Sequence, residues 1–164
     1  MNIKSQLFTS SERYLQVSAS VFDDGWMKLI KMNQVIFVAE GVFMYCSEKD
    51  VKDLFNKIQQ NFSGAEMVCE VFSKKWLTGW RDRSMKAKLK RQLKFGESSL
   101  FSIGIEDSDE FEKWSTGIKF ISDWSYLDTD EMRSHVTNWL RKKDSIRKIQ
   151  WTVHYKFNNS SLVD

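Results

Sequence analysis

Residues Val35 to Ser73 constrain this chain more than any other stretch. They open with "VIFVA" (Val35 to Ala39), a continuous apolar run bounded on its N-terminal side by the polar "KMNQ". Such a run suits a strand buried on both faces, as in a parallel sheet. Ser47 can then cap a helix, and Asp50 completes a capping-box-like start with a carboxylate near the positive helix end. Val51, Leu54, Phe55, Ile58 and Phe62 recur at the helical period and make one apolar stripe. Gly64 follows, where a left-handed residue is needed. "AEMVCEVFS" (Ala65 to Ser73) reads as a second buried strand. Strand, capped helix and strand form a βαβ unit with a right-handed crossover expected, which makes the fold α/β.

The flanks are less regular. "RYLQVSAS" (Arg13 to Ser20) reads as a strand, and Asp23-Asp24-Gly25 as a turn before a short helix carrying Trp26, Leu29 and Ile30. Beyond Ser73, Trp76, Leu77, Trp80, Met85 and Leu89 interleave with cations, predicting a basic helical segment over 74–97, a lid over the substrate. An apolar "LFSIGI" (Leu100 to Ile105), an acidic helix-like patch near Asp109 to Trp114, and "IKFISDWSYL" (Ile118 to Leu127) come next. A helix is expected over about 129–142. In "IRKIQWTVHYKF" (Ile146 to Phe157) the alternation of Ile149, Trp151, Val153 and Tyr155 predicts a half-buried strand. No internal repeat or linker breaks the chain, so 1–164 is expected to be a single domain.

Composition narrows the class. An apolar content of 41% and a charged content of 29% are those of a globular protein. No apolar run reaches the ~20 residues that span a bilayer, and "MNIKSQLFTSSER" has no signal-peptide core. A cytoplasmic protein is expected, with no membrane partner, and with Cys46 and Cys69 as free thiols. No metal site is expected, because Cys46, Cys69, His135 and His154 lack ligand spacing. Net charge is +3, yet Lys74 to Lys94 holds nine cations against the single anion Asp82. The acidic "EDSDEFE" (Glu106 to Glu112) offers that block a partner. Cations mixed with Trp76 and Trp80 could also neutralise phosphates and stack on bases. The pI of 8.8 is modest, however, and nucleic acid is the less favoured partner.

The apolar run from Val35 stops at Glu40-Gly41. In open parallel sheets ligands bind outside the carboxyl ends of the strands. A carboxylate there can accept from an ammonium or hydroxyl of a ligand, and Gly41 can let a ligand approach the backbone. The alternative is an exposed Glu at a strand mouth and a Gly chosen for its turn. His135 and His154 are possible bases, more simply read as exposed or structural. Asp23-Asp24 and Asp107-Asp109 read as turn formers rather than an acid/base couple.

"VIFVAEGVFMYCSEKDVKDLFNKIQQNFSGAEMVCEVFS" resembles the second half of the leucine carboxyl methyltransferase family, and more closely its branch of polyketide-biosynthesis O-methyltransferases. "SVFDDGWMKLI" resembles the segment ahead of that strand, and "FSIGIEDSDEFEKW" through "VHYKF" the closing hairpin. The resemblance runs from about Arg13 to Phe157 and is most specific at Glu-Gly-Val-x-Met-Tyr. It implies a class I S-adenosylmethionine-dependent methyltransferase with a Rossmann-like sheet, mostly parallel and closed by an antiparallel hairpin. It further implies that Glu40 and Gly41 contact the cofactor, that Ser20 and Val21 lie beside its adenine, and that Tyr45 lines the substrate pocket. The acceptor would be a small molecule or a carboxylate. No catalytic base can be named.

The departure from the family is as informative. Its first half carries a Gly-rich turn and an acidic residue for the ribose. Here Gly25, Gly41, Gly64, Gly79, Gly96, Gly104 and Gly117 are each isolated. The chain therefore reads as a partial sheet lacking the first two strands. In the usual order 3-2-1-4-5-7-6, the strand at Val35 to Ala39 would then leave an apolar open edge. A truncated chain, a split enzyme completed by a separate N-terminal half or by its own copy, and a non-catalytic remnant or interaction subunit all fit. The isolated chain is expected to be inactive.

Overall fold

The computed structural model describes residues 11–77, 103–128 and 143–159. The chain divides into two compact units, Met1–Met32 and Asn33–Asp164.

In the first unit, Arg13 to Ser20 is not the expected strand. Ser11 and Tyr14 close a tight turn by exchanging backbone hydrogen bonds of 2.8 and 3.1 Å, and no strand forms there. Ser18, Ala19 and Ser20 are small residues with little to pack on a pleated surface, so local pattern alone does not hold the segment extended. The expected short helix is a single 3-10 turn, Met27–Leu29, with Met27 buried. The Trp26 indole N–H donates to the Val21 carbonyl at 3.0 Å.

The second unit holds the sheet. Its strands are β1 (Ile36–Ala39), β2 (Glu66–Phe72), β3 (Ile118–Trp124) and β4 (Gln150–Phe157), in the spatial order β1-β2-β4-β3. β1 and β2 pair in parallel, with Val38 opposite Val68. β4 runs antiparallel to both β2 and β3. Three strands therefore point one way and β4 the other, which makes a mixed sheet. β3 and β4 are neighbours as expected, but residues 125–149 separate them, so they do not form a tight hairpin. The register slips between Phe120 and Ser122, a bulge that re-aims the end of β3.

The connection from β1 to β2 is helix α1 (Glu48–Asn61). The Ser47 hydroxyl accepts from the Asp50 N–H at 3.1 Å and donates to the Asp50 carboxylate at 2.6 Å. The stripe Val51, Leu54, Phe55 and Ile58 is buried to 2% exposure or less. Phe55 meets Phe43, Phe111 and Phe157 edge-on at ring separations of 5.1 to 5.5 Å. The register carries that contact across the sheet: Trp151, Val153, Tyr155 and Phe157 of β4 share a face with Met67, Cys69 and Val71 of β2, and all are buried. After the helix, Gly64 sits at φ +84° and its N–H donates to the Phe157 carbonyl.

β1 departs from the expected two-sided burial. Phe37 and Ala39 are half-buried, whereas Ile36 and Val38 are 65% and 72% exposed. A short edge strand has one neighbour, and here its outer side chains gain little cover. The expected strand at the chain's end is realised as β4, while Ile146 belongs to a short helix α2 (Asp144–Arg147). A 3-10 helix at Glu110–Trp114 takes the place of the acidic helix-like patch. The expected helix over 129–142, with His135, and the basic segment beyond Leu77 lie outside the described residues. At the start of that segment, Lys74 stands 4.0 Å from Glu106, an exposed contact between the basic and acidic blocks.

Candidate functional site

α1 covers one face of the sheet; a cleft opens on the other, at the carboxyl ends of β1, β2 and β3. Val38 and Val68 floor it side by side, and Glu70, Thr152 and Trp124 form the next row across β2, β4 and β3. Glu40 and Tyr126, just past the ends of β1 and β3, complete the mouth. The volume is about 220 Å³.

Glu70 organises this cleft. It is 6% exposed, and its carboxylate accepts from the Gly41 N–H at 3.1 Å, from the Gln150 side-chain amide and, at the limit of hydrogen bonding, from the Tyr126 hydroxyl at 3.5 Å. All three donors are neutral. The Glu70 charge, with Glu40 beyond it, pushes the Tyr126 hydroxyl above its ordinary value and keeps it a donor. Among the described residues neither Glu40 nor Glu70 has an ion-pair partner, and no Lys, Arg or His lines the cleft. Two carboxylates beside an indole and a phenol make a setting suited to an organic cation.

Glu40 is exposed and faces the cleft. Gly41 follows it at φ +63°, and the atom nearest its missing side chain is a Glu70 carboxylate oxygen at 3.9 Å. The left-handed turn is thus what requires glycine there, and what approaches it is Glu70. Tyr45 is 48% exposed on the 3-10 turn Phe43–Tyr45 and is not among the cleft-lining residues. Ser20 and Val21 belong to the first unit, where they line a groove of about 630 Å³ with Tyr14, Val17, Trp26 and Leu29. His154 is turned to the far end of β2, its Nε2 2.8 Å from the Glu66 carboxylate, and does not line the cleft.

Asp107 and Asp109 are not a catalytic couple either. Asp107 pairs with Lys148 and accepts the Ser108 N–H, contacts that hold its carboxyl below the usual range. Asp123 joins the same network. Burial would raise its carboxyl, but hydrogen bonds from Arg147 and Ser108 outweigh that and lower it. The role is structural. No group of His, Cys, Asp and Glu among the described residues could hold a metal. No helix among them is long and apolar enough to cross a membrane.

Glu70 was not singled out in the sequence. Its partners lie 29, 56 and 80 residues away, and an acid inside the apolar run "MVCEVF" is the one local sign of it.

No protein-family model matches the chain. Over 131 residues it is 26% identical to the tetracenomycin polyketide synthesis O-methyltransferase TcmP of Streptomyces glaucescens, covering 79% of this chain and 45% of that protein. The chain thus spans about half the length of the curated relative it matches. Among solved structures it is similar to a DUF574 family protein from Streptomyces avermitilis, with a TM-score of 0.58 at 8% identity over 93% of this chain and 60% of that one. It also matches a structure concerned with converting a disulfide bond into a thioacetal group during echinomycin biosynthesis (TM-score 0.45, 16% identity, 89% of this chain and 57% of that one). The first structural likeness shows a shared α/β fold, of which the mixed four-stranded sheet is part.

Proposed function

We propose that this chain is part of an S-adenosylmethionine-dependent O-methyltransferase, and that Glu40 meets the charged end of the cofactor. The observation that carries the reading is the placement of Glu40. It stands at the carboxyl end of β1, over a cleft, in a sheet whose order β1-β2-β4-β3 and single reversed strand correspond to positions 4-5-7-6 of a class I methyltransferase sheet. The similarity to TcmP supports the same class and suggests a polyketide-like acceptor.

The residues present fit the charged end of such a cofactor: two carboxylates without a counter-cation among the described residues, beside Trp124 and Tyr126. At about 220 Å³ the cleft is smaller than the roughly 300–1,000 Å³ of ligand pockets, so it accommodates only part of the molecule. The sequence holds no Gly-x-Gly turn, and the outer edge of β1 is unpaired among the described residues. In this reading the rest of the cradle comes from polypeptide outside those residues. When bound, the cofactor supplies a methyl group on a sulfonium. Glu40 accepts from its ammonium, Glu70 fixes the turn that presents Glu40, and Tyr45, on the turn that follows, stands toward the acceptor. Catalysis of this kind rests on positioning.

Calorimetric titration of the full chain with S-adenosylmethionine tests the proposal. Weak, saturable binding that Glu40→Gln weakens further is the expected result. Failure to bind at millimolar ligand, or binding indifferent to Glu40→Gln, would overturn it.

A further inference from the structure

The proposed function leaves unexplained why a second carboxylate, deeper than Glu40, is kept in the cleft. Glu70 is 6% exposed, and among the described residues every hydrogen bond it accepts comes from a neutral group: Gly41 N–H, Gln150 amide and Tyr126 hydroxyl. Neutral donors solvate a carboxylate without cancelling its charge. A buried charge lacking an opposite partner is costly, and a cationic ligand relieves the cost by entering beside it. Trp124 and Tyr126 add aromatic surface on the same side of the sheet, which favours an organic cation over a hydrated inorganic one.

We infer that Glu70 is a specificity-determining residue: with Glu40 it makes the cleft prefer the sulfonium donor to the neutral thioether that remains after transfer. The inference rests on the methyltransferase reading of the cleft. In the transfer, the S–CH₃ bond breaks and its electron pair stays on sulfur. The acceptor oxygen supplies the pair for the new O–CH₃ bond and gives up its proton, where it carries one, to solvent. The sulfur thereby loses its positive charge while the rest of the molecule keeps its own. A site holding two carboxylates that have no counter-cation among the described residues loses attraction at that step, so the product leaves and fresh donor replaces it.

The test is calorimetry on the full chain with S-adenosylmethionine and S-adenosylhomocysteine, with trimethylsulfonium as a minimal probe. The wild-type chain should favour the sulfonium donor by about tenfold, the scale of one partly screened charge contact. Glu70→Gln, shown to be folded by circular dichroism and an intact urea midpoint, should bring the two ligands close to parity. Glu40→Gln, at an exposed position, should reduce the ratio without disturbing the Gln150 contact, and it serves as the readout if Glu70→Gln does not fold. Equal affinity of the wild-type chain for both ligands, or an unchanged ratio in both variants, would overturn the inference and leave the methyltransferase reading standing. Should neither nucleoside bind, that reading fails on its own, and trimethylsulfonium decides the inference: binding lost in Glu70→Gln upholds the charge role, and no binding refutes it.

Discussion

At Gly41 the chain leaves β1 with φ +63° and hands its N–H to Glu70, so a single backbone conformation ties the turn after Glu40 to the Glu70 carboxylate. A side chain at that φ costs roughly 1–2 kcal/mol. Gly41→Ala should therefore lower stability by about that amount, read from the urea midpoint, and should weaken ligand binding beyond the loss explained by unfolding. An unchanged midpoint would mean that the turn relaxes without strain. At this scale Glu40 and Gly41 were readable from sequence because they interrupt an apolar run. Glu70 was hidden because what makes it special is contributed by residues from three distant segments. The sequence left two meanings open for Gly41, and the structure shows the turn one of them asks for, at φ +63°.

Among the elements, α1 was the most readable: cap, stripe and end all follow from local chemistry, and the helix forms where those signals place it. β1 was readable as a strand but not in its burial, because the number of neighbours a strand has is a property of the sheet and not of its own four residues. The same limit applies to the ion network joining α2, β3 and the loop before it. Arg147 bridges Asp123 at 2.7 Å and Asp128 at 2.8 Å, with side chains 16% to 27% exposed. Beneath them the Ser108 hydroxyl donates to Asp123 and accepts from the Trp151 indole. Arg147→Met removes the guanidinium shared by two partly buried carboxylates, of which Asp123 keeps Lys148 at 3.6 Å, and should cost about 3 kcal/mol by urea denaturation. Asp107 and Asp123 both titrate below their ordinary value in the folded chain. Their contribution is complete above the unfolded value of about 4 and is lost as pH falls through the lower folded values. The wild-type chain should lose stability steeply below about pH 4, and Arg147→Met should show a shallower slope there. Equal slopes would remove Arg147 from the account.

At the scale of the sheet, the parallel β1-β2 pair and the antiparallel β2-β4-β3 set put an apolar edge at β1 that is unpaired among the described residues. Ile36 and Val38 are its exposed side chains. Edges of this kind recruit other chains. Sedimentation velocity should show concentration-dependent association that Val38→Lys reduces, whereas a single monomeric species at every concentration would contradict an available edge. The α/β class and the β1-α1-β2 unit were legible in the sequence, whereas the strand expected at Arg13 to Ser20 does not form. The cleft was not, because it is assembled from β1, β2, β3 and β4 together.

The most direct test is heteronuclear NMR of the full chain titrated with S-adenosylmethionine. The account predicts shifts concentrated at the amides of Glu40, Gly41, Glu70, Tyr126 and Thr152, saturating together. Shifts scattered over the surface, or confined to residues outside the cleft, would contradict it.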